Sequence, residues 1–316
     1  MNYLVTGGLG YVGSWAVRHL AQAGHTVFAM SRKAGKPDLG VPYTLVQADL
    51  AGQSPEEIAA VLPQGLHGIV HAASLNEAFL PGYPREALLA NALGTRNVLE
   101  ALVLAHKAQG AAPLPVVVYC STFHVYGKSE GEITEFTPPD PKNDYALTHL
   151  FAEQYCRMFG HTAGMPCITV RLTNGYGAPV SPGFDKWHLI INDLCKQAVE
   201  QGSLTLNANP AIERDFLWLG DIARCFELLL PRRDLAGQTF VAAAQRTVSL
   251  GEVAELIAST AQQMLGTPVP IHYKTAPSPC PRLQVRATAL HKATGFTPTG
   301  SMEQAIRAIL ALCNGK

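Results

Sequence analysis

The first half of the chain alternates short apolar runs with longer amphipathic segments. The apolar runs are rich in Val and Ile and have the length of buried strands, whereas the amphipathic segments repeat their apolar residues at helical spacing. The predicted strands are Tyr3–Thr6, Thr26–Met30, Tyr43–Val46, Gly68–His71, Val116–Cys120 and Cys167–Leu172. The predicted helices are Tyr11–Ala23, Pro55–Leu62, Arg85–Lys107 and Tyr145–Phe159. This alternation predicts an α/β fold with a doubly wound parallel sheet that helices cover on both faces.

The pattern changes after about Gly177. Further helices are predicted at Asp185–Gln201, Leu219–Leu230, Leu250–Gln263 and Met302–Cys313, separated by short strands and Pro-rich loops. We therefore expect residues 1–177 to form one domain and residues 178–316 to form mainly a smaller lobe, with some segments returning to the first domain. Such a lobe would cover the carboxyl ends of the strands, where open α/β sheets bind ligands. The stretch Lys128–Asn143, which holds three prolines, is expected to be a long surface loop.

A glycine-rich turn, TGGLGYVG at residues 6–13, joins the first predicted strand to the first predicted helix. Strand, glycine turn and helix in this order are typical of a dinucleotide site in a Rossmann-type domain. The first glycine permits the tight turn, the second lets the backbone approach a pyrophosphate, and the third lets the helix pack against the sheet. The helix N-terminus would offer free N–H groups to the phosphates, although a bare glycine-rich turn is the alternative. The residues expected at the phosphates are Gly7, Gly10, Tyr11, Val12 and Gly13.

Composition narrows the classes of function. The chain of 316 residues is 47% hydrophobic, which is ample for a full core, and its formal net charge is zero. Zero net charge argues against a nucleic-acid binder that relies on a strong basic field, although a local patch stays open. No apolar run approaches the roughly 20 residues of a membrane span, and no secretory leader is visible. The seven cysteines are dispersed without CxxC pairs, so we expect reduced thiols in the cytoplasm and no metal site.

The loop after the second predicted strand bears on the choice of coenzyme. An acidic residue at this point would accept hydrogen bonds from a ribose 2′-hydroxyl, but the strand ends in Ser31, Arg32 and Lys33. A hydroxyl and two cations suit the 2′-phosphate of NADP, which is favoured over NAD, unless the cations are simply solvated loop charges. After the third strand come Asp49 and Leu50, and the Asp49 carboxylate could meet the adenine amino group or cap the following turn.

Two further segments complete an ordered set of motifs. Tyr119–Gly127, YCSTFHVYG, ends the fifth predicted strand, and Asn143–His149, NDYALTH, starts a predicted helix. With the glycine turn, they resemble the extended short-chain dehydrogenase/reductase family, which includes the NAD-dependent epimerases and dehydratases of sugar nucleotides. Arg171–Gly177, Arg214–Ile222 and Thr294–Pro298 are similar to later motifs of that family. The resemblance therefore covers nearly the whole chain.

The resemblance implies catalytic roles for residues of Tyr119–Gly127 and Asn143–His149. Tyr145 matches the tyrosine that acts as general acid/base, and Thr122, next to Ser121, matches the hydroxyl that hydrogen-bonds the same substrate oxygen. In the family a lysine four residues after the tyrosine lowers the phenol pKa and holds the nicotinamide ribose, but here His149 stands at that position. An imidazole is mostly neutral at pH 7, so it can donate to a ribose hydroxyl but gives less electrostatic help. Compensation by another group, such as His124, and loss of chemistry both stay open.

The resemblance also implies ligand contacts outside the catalytic segments. The small residues after the fourth strand would let its end approach the coenzyme. Asn91 on the long helix would face the active site, or else satisfy local backbone groups. Asn174 and Arg214 would contact the diphosphate of the substrate, and His124 would lie at the substrate. The residues added to the coenzyme site in this way are Ala72, Ala73, Ser74, Asn91 and Leu172.

The resemblance favours an NAD(P)-dependent oxidoreductase that acts on a small molecule, a nucleotide-activated sugar. Reduction of a keto-sugar and epimerisation through a 4-keto intermediate both fit, whereas dehydration is disfavoured because no Asp-Glu pair follows Thr122. A homodimer is also implied, with Arg85–Lys107 and Tyr145–Phe159 as the interface helices, although their apolar residues could equally face the sheet. The alternative is a catalytically weak NADP-binding sensor or scaffold protein of the same fold, which the missing lysine would suit.

Overall fold

The computed structural model describes residues 1–75, 83–110, 113–180 and 186–315. Its strands are β1 Asn2–Thr6, β2 Thr26–Ser31, β3 Thr44–Gln47, β4 Gly68–His71, β5 Val116–Thr122, β6 Gly131–Ile133, β7 Cys167–Leu172, β8 Asn174–Tyr176, β9 Leu204–Leu206, β10 Glu213–Trp218, β11 Thr239–Ala242, β12 Thr247–Ser249, β13 Ile271–Tyr273 and β14 Leu283–Val285. Its α-helices are α1 Tyr11–Gln22, α2 Pro55–Val61, α3 Pro84–Ala87, α4 Gly94–Gln109, α5 Asp144–Ala163, α6 Ile190–Gln201, α7 Leu219–Leu229, α8 Leu250–Leu265, α9 Ala289–Thr294 and α10 Met302–Cys313. The predicted start of α6 at Asp185 lies outside the described residues.

Seven parallel strands form the central sheet, in the order β11-β7-β5-β4-β1-β2-β3. The chain builds outward from β1 in one direction through β2 and β3 and in the other through β4 and β5. The strand order therefore reverses between β1 and β4, and the crevice at such a reversal is the usual ligand site of open α/β sheets. The doubly wound parallel sheet expected from the sequence is confirmed.

Helices cover both faces of this sheet because successive strand residues point to opposite sides. Leu4, Ile69 and Val117 are in register across three strands and pack under α2, α4 and α5. The next residue along each of these strands, Val5 in β1 for example, points to the other face and packs under α1 and α7. Strands buried on both faces read as continuous Val- and Ile-rich runs, which is why the sequence locates them well.

Residues beyond β7 add smaller elements beside the strand ends. Helices α6, α8 and α10 enclose a further apolar cluster with β9 and Phe216. A three-stranded sheet, β12-β10-β8, joins this cluster to the end of β7, while β11 returns to the central sheet beside β7. These elements stand over the carboxyl ends of the central strands.

The stretch Lys128–Asn143 is not entirely the surface loop that its prolines suggest. It contains β6, which pairs in parallel with β14, and Ile133 is buried against Val285. A three-residue strand is too short to show a periodic pattern, so the sequence gives little sign of it. Its partner lies about 150 residues away along the chain, which local reasoning does not reach.

The long predicted helix is continuous but not uniform. Between α3 and α4 the residues Leu88–Leu93 form a π-helical stretch. Such a stretch makes the helix locally wider, and it is frequent near functional sites. By length and composition the run Pro84–Ala108 could also cross a membrane, and 56% of its most apolar window is buried inside the protein. The core helices of many folded domains share that composition.

The glycine turn between β1 and α1 is folded tightly on itself. A Cβ placed on Gly13 would lie 2.1 Å from the carbonyl oxygen of Gly7. Gly7 has a φ of +64°, and a Cβ on it would lie 2.8 Å from the backbone of Ala72 and Ala73. Side chains at these two positions would push α1 away from the strand ends.

We expect the substitution Gly13→Ala to lower the free energy of unfolding by about 1–3 kcal/mol, since the added methyl group overpacks the turn. The better helix propensity of alanine offsets only part of this loss. Urea unfolding of the two proteins measures the difference. Gly35→Ala is the matched control, because no atom lies within 4 Å of a Cβ at that position, and it should stay within about 0.5 kcal/mol of wild type. Equal urea midpoints for Gly13→Ala and wild type would contradict the tight contact.

Candidate functional site

A cavity of about 700 Å³ opens at the carboxyl ends of the central strands. The predicted site residues on its wall are Gly7, Gly10, Tyr11, Val12, Gly13, Ser31, Arg32, Asp49, Leu50, Ala72, Ala73, Ser74, Ser121, Thr122, His124, Tyr145, His149, Leu172 and Asn174. Two predicted residues, Asn91 and Arg214, do not line it. The cavity runs from the glycine turn, past the strand ends, to the elements that follow β7, and the predicted residues make up about half of its wall.

The start of α1 forms one end of the cavity. Gly10 is the N-cap and has no side chain to accept from the first-turn amides, so these N–H groups point into the cavity at the positive end of the helix dipole. Gly7 presses the turn against the backbone after β4. Uncapped amides beside a bare glycine backbone fit the pyrophosphate of a dinucleotide.

The loop after β2 borders the same end of the cavity. Ser31, Arg32 and Lys33 line it, and the backbone amide of Lys33 donates to Ser31 Oγ at 3.2 Å. Across from them, Asp49 accepts a hydrogen bond from the amide of Ala51 at 3.1 Å, so it does cap the turn after β3. A hydroxyl and two cations at the rim fit a phosphate on the adenosine ribose.

Tyr145, at the start of α5, reaches the other end of the cavity. Its phenol is hydrogen-bonded to the Thr122 hydroxyl, and Thr122 ends β5. Burial raises the pKa of Tyr145 above its ordinary value of 10, and the Thr122 hydrogen bond opposes that rise only partly. The phenol therefore stays protonated at neutral pH. Two adjacent hydroxyls at a strand end can protonate and hold one substrate oxygen.

His149 lies one helical turn after Tyr145, and the two rings meet edge to face at 4.7 Å between centroids. Its Nδ1 is 2.7 Å from the hydroxyl of Tyr119 on β5. Burial, with the neighbouring imidazoles of His71 and His124, lowers the pKa of His149 to about 3, so the ring is neutral. Its Nε2 is buried and has no hydrogen-bond partner among the described residues. The tyrosine partner of this imidazole was missed by sequence reasoning, because nothing local pairs a strand residue with a helix residue 30 positions later.

The predicted site residue His124 sits between this cluster and Arg214. Its ring packs on Phe123 at 4.5 Å and lies 5.9 Å from the ring of Tyr145. Burial and, secondly, the charge of Arg214 lower the pKa of His124 to about 4, so this imidazole is also neutral at pH 7. Arg214 donates to the carbonyl oxygen of Glu213 at 3.0 Å instead of lining the cavity. It is near enough to the cavity for its charge to act on His124.

Asn91 supports the site from behind. It lies in the π-helical stretch, accepts from the amide of Leu75 at 2.7 Å, and donates to Leu75 O at 3.1 Å and to Thr148 Oγ1 at 3.0 Å. Of the two expectations for Asn91, a polar side chain that satisfies nearby backbone groups fits these contacts. Its side chain is 1% exposed and holds the segment after β4 against α5. A widened helical turn brings this amide to a loop backbone, which a regular helical pattern does not reveal.

The wall formed after β7 is tied to α1. Tyr11 donates to the carbonyl oxygen of Gly177 at 2.6 Å, and Asn192 on α6 donates to the Tyr11 hydroxyl at 3.2 Å. Asn174 donates to Asp215 O at 2.9 Å while lining the cavity. Asn192 and Phe216 also line it. Phe216 lies inside the family-like segment Arg214–Ile222, whereas nothing in the local sequence marks Asn192.

The described residues contain no group of three or more His, Cys, Asp or Glu side chains that could hold a metal ion. The cavity wall has hydroxyls, amides and an uncapped helix start, which are groups of the kind that can bind phosphates and exchange a proton.

Comparison with known proteins agrees with this arrangement. Residues 3–243 match the model of the NAD dependent epimerase/dehydratase family. A GDP-6-deoxy-D-mannose reductase of Pseudomonas aeruginosa is 30% identical over 326 residues, which covers 97% of this chain and 95% of the relative. A Bacillus subtilis protein described as an uncharacterized UDP-glucose epimerase is 26% identical and covers 81% of each chain.

Solved structures share the whole fold. The RMD protein of Pseudomonas aeruginosa, complexed with NADPH, superposes with a TM-score of 0.78 at 26% identity and covers 100% of this chain and 99% of its own. A UDP-glucuronic acid 4-epimerase of Bacillus cereus in complex with NAD gives a TM-score of 0.81 at 19% identity, with 100% and 99% covered, which shows the fold alone. The family expected from the motifs is thereby confirmed, and the chain belongs to the NAD-dependent epimerase/dehydratase family of extended short-chain dehydrogenases/reductases.

Proposed function

We propose that this protein is an NADPH-dependent reductase of a nucleotide-activated keto-sugar, with Tyr145 as the general acid. The observation that carries the proposal is the hydrogen-bonded pair of Tyr145 and Thr122, which faces the cavity between the glycine turn and the elements after β7. A relative that is 30% identical and covers 97% of this chain is a GDP-6-deoxy-D-mannose reductase, which supports the reaction class and a diphosphate-linked sugar. Epimerisation through a 4-keto intermediate is the second candidate, since UDP-sugar epimerases share the fold.

The coenzyme would lie with its pyrophosphate at the amides that open α1. Ser31 and Arg32 would hold the 2′-phosphate, which favours NADP over NAD because no carboxylate closes β2. The small residues Ala72, Ala73 and Ser74 leave room for the dinucleotide along the strand ends, and Leu172 would pack near the nicotinamide. A reduced nicotinamide bound here would supply the hydride for a carbonyl carbon.

Tyr145 then donates its phenolic proton to the carbonyl oxygen while Thr122 donates a hydrogen bond to the same atom. The ketone becomes an alcohol, and the phenol regains its proton from solvent. A buried phenol with a raised pKa holds its proton until a substrate oxygen accepts it, which is the state a reduction needs. We place the substrate mainly against residues 178–316, with His124 near the sugar and with Asn174 and Arg214 near the diphosphate.

In the decisive assay, purified protein is mixed with NADPH or NADH and a 4-keto sugar nucleotide, and coenzyme oxidation is followed at 340 nm. We expect turnover with a higher kcat/KM for NADPH than for NADH. Tyr145→Phe should lower kcat by about 10²- to 10⁴-fold, since it removes the general acid. Arg32→Ala should narrow the preference for NADPH because it removes a contact to the 2′-phosphate.

Two results would count against this proposal. Tightly bound NAD⁺ released on denaturation, at one per chain, would indicate an epimerase that retains its coenzyme and would refute the assignment of Ser31 and Arg32. Binding of NADPH without turnover of any keto-sugar nucleotide, and with no effect of Tyr145→Phe, would favour the sensor or scaffold alternative. Tyr43→Phe is the matched control, because Tyr43 is a buried tyrosine outside the cavity.

His149→Lys tests the electrostatic role of this position. A lysine ammonium near Tyr145 would favour the phenolate and lower the phenol pKa. In the alcohol-oxidation direction, which needs the phenolate, the rising limb of the pH–rate profile should therefore move to lower pH, while coenzyme binding is retained. Wild type should show no ionisation of His149 between about pH 5 and 9, since the imidazole is already neutral there.

The neutral variant His149→Gln is the control, and its profile should not move to lower pH. If His149→Ala matches wild type in rate and in coenzyme affinity, His149 has no part in the reaction. An inflection near the ordinary histidine pKa of about 6.5 that disappears in His149→Gln would show instead that the wild-type imidazole does ionise.

We further propose that the protein is a homodimer. The helices that run from Pro84 to Gln109 and from Asp144 to Ala163 share a groove that exposes Leu88, Phe151 and Met158. Large apolar side chains grouped on one face favour contact with a second copy.

The seven cysteines are all free thiols, which suits the reducing cytoplasm. Fractionation of expressing cells would check this location.

We expect sedimentation velocity to show a dimer for wild type and a monomer for Phe151→Glu, because a buried carboxylate at the interface has no partner. The matched control is Met264→Glu, which changes a similarly exposed residue on α8 outside the groove and should stay dimeric. A wild-type monomer at tens of micromolar would rule this interface out.

A further inference from the structure

We propose that Tyr119 is a positioning residue that fixes the tautomer of His149, so that the Nε2–H of the imidazole is the donor offered to the coenzyme ribose. The first half of this inference concerns the ligand-free protein, and only the identity of the acceptor rests on the proposed function. Tyr119 itself does not line the cavity and touches no reacting atom.

The side chains of Tyr119 and His149 are both buried and hydrogen-bonded to each other. Tyr119 is 1% exposed on β5 and His149 is 2% exposed on α5, and Tyr119 Oη lies 2.7 Å from His149 Nδ1. The opposite ring nitrogen, Nε2, is buried and has no hydrogen-bond partner in the part of the chain that the structure describes, and His149 is part of the cavity wall. One edge of the imidazole is thus anchored to the sheet, and the other edge carries the unpaired nitrogen.

Counting hydrogen-bond groups selects the tautomer. If Nδ1 carried the proton and donated to Tyr119, the phenolic hydrogen and the Nε2 lone pair would both be buried without partners, since the described residues give the Tyr119 hydroxyl no other contact. If the phenol donates to Nδ1, the proton lies on Nε2 and one donor alone awaits a partner. Buried polar groups are nearly always paired, so the second arrangement is favoured.

The ionisation of both groups agrees with this direction of donation. Burial raises the pKa of Tyr119 well above its ordinary value, so the phenol always has a proton to give. Burial, with His71 and His124 nearby, lowers the pKa of His149, so the ring always has a lone pair to accept it. His149 is therefore a neutral donor here and does not replace the charge of a lysine.

A sugar hydroxyl is the acceptor that we assign to the unpaired donor. It lies one turn along α5 from Tyr145, in the wall that continues through Ser121 and Thr122 toward the glycine turn. A dinucleotide whose pyrophosphate lies at α1 would carry its nicotinamide ribose past this wall. Ribose hydroxyls accept hydrogen bonds from a neutral N–H, whereas they gain nothing specific from an apolar side chain.

Histidine ¹⁵N spectra of the ligand-free protein test the tautomer. We expect His149, identified by the signals missing in His149→Gln, to show a protonated Nε2 and an unprotonated Nδ1 shifted by its hydrogen bond. Tyr119→Phe should remove that shift. A wild-type spectrum with the proton on Nδ1 overturns the proposal, and this result does not depend on whether Tyr119→Phe folds or on what the protein catalyses.

Coenzyme affinity tests the consequence. Titration of NADPH fluorescence should give a dissociation constant raised about threefold to tenfold in Tyr119→Phe, since a freed imidazole presents its donor less well. In a His149→Ala background Tyr119→Phe should cause no further loss, which shows that it acts through the imidazole. The matched control is Tyr43→Phe, which likewise removes a phenolic hydroxyl. That hydroxyl donates to a backbone carbonyl, and its loss should not change the affinity for NADPH.

Unchanged affinity in Tyr119→Phe, with only a lower melting temperature, would reduce the pair to a structural contact and overturn the proposal. Failure of the proposed function looks different. In that case no form of the protein would bind NADPH or NADH, while the spectra of the ligand-free protein would still decide the tautomer.

Discussion

The active-site geometry depends on one buried carboxylate. Glu153 on α5 accepts two hydrogen bonds from Arg171 of β7, at 2.9 and 2.7 Å, and one from Ser121 of β5 at 2.6 Å. A buried ion pair adds little net stability, but breaking it leaves an uncompensated charge, so it fixes the register of the elements that it joins. The position of α5, which carries Tyr145, is therefore fixed relative to β5 and β7. Thr122, the partner of Tyr145, follows Ser121 on β5.

The charges of Glu153 and Arg171 satisfy each other, while the charge of Arg214 also reaches this end of the cavity, at His124. The titratable groups around Tyr145 are neutral: two imidazoles whose pKa values are lowered and a phenol whose pKa is raised. A lysine in place of His149 would stabilise the phenolate and suit alcohol oxidation. A neutral imidazole leaves Tyr145 protonated, and a protonated acid suits addition of a proton to a carbonyl oxygen. The departure from the family pattern is thus compatible with catalysis in the reductive direction.

The sequence predicts well what repeats along the chain. The strands β4 and β7 have the predicted bounds and the glycine turn lies where the motif places it, because both are local patterns with one physical meaning. Contacts between distant residues are not local. The pairing of β6 with β14, the amide of Asn91 on the Leu75 backbone and the phenol of Tyr119 on His149 each need the fold before they exist. The hydrogen-bond donors at this site could be predicted from residue type, but their partners depend on tertiary packing.

Helix α1 connects the two sides of the cavity. Its first turn has uncapped amides at the cavity, while Tyr11 and Trp15 donate to the carbonyl oxygens of Gly177 and Ala178, at 2.6 and 2.9 Å. These carbonyls belong to the segment that follows β8. Because both hydrogen bonds come from one short helix, the glycine turn and the opposite wall of the cavity are anchored to the same element. Under the proposed function, coenzyme and substrate would both be positioned against this helix.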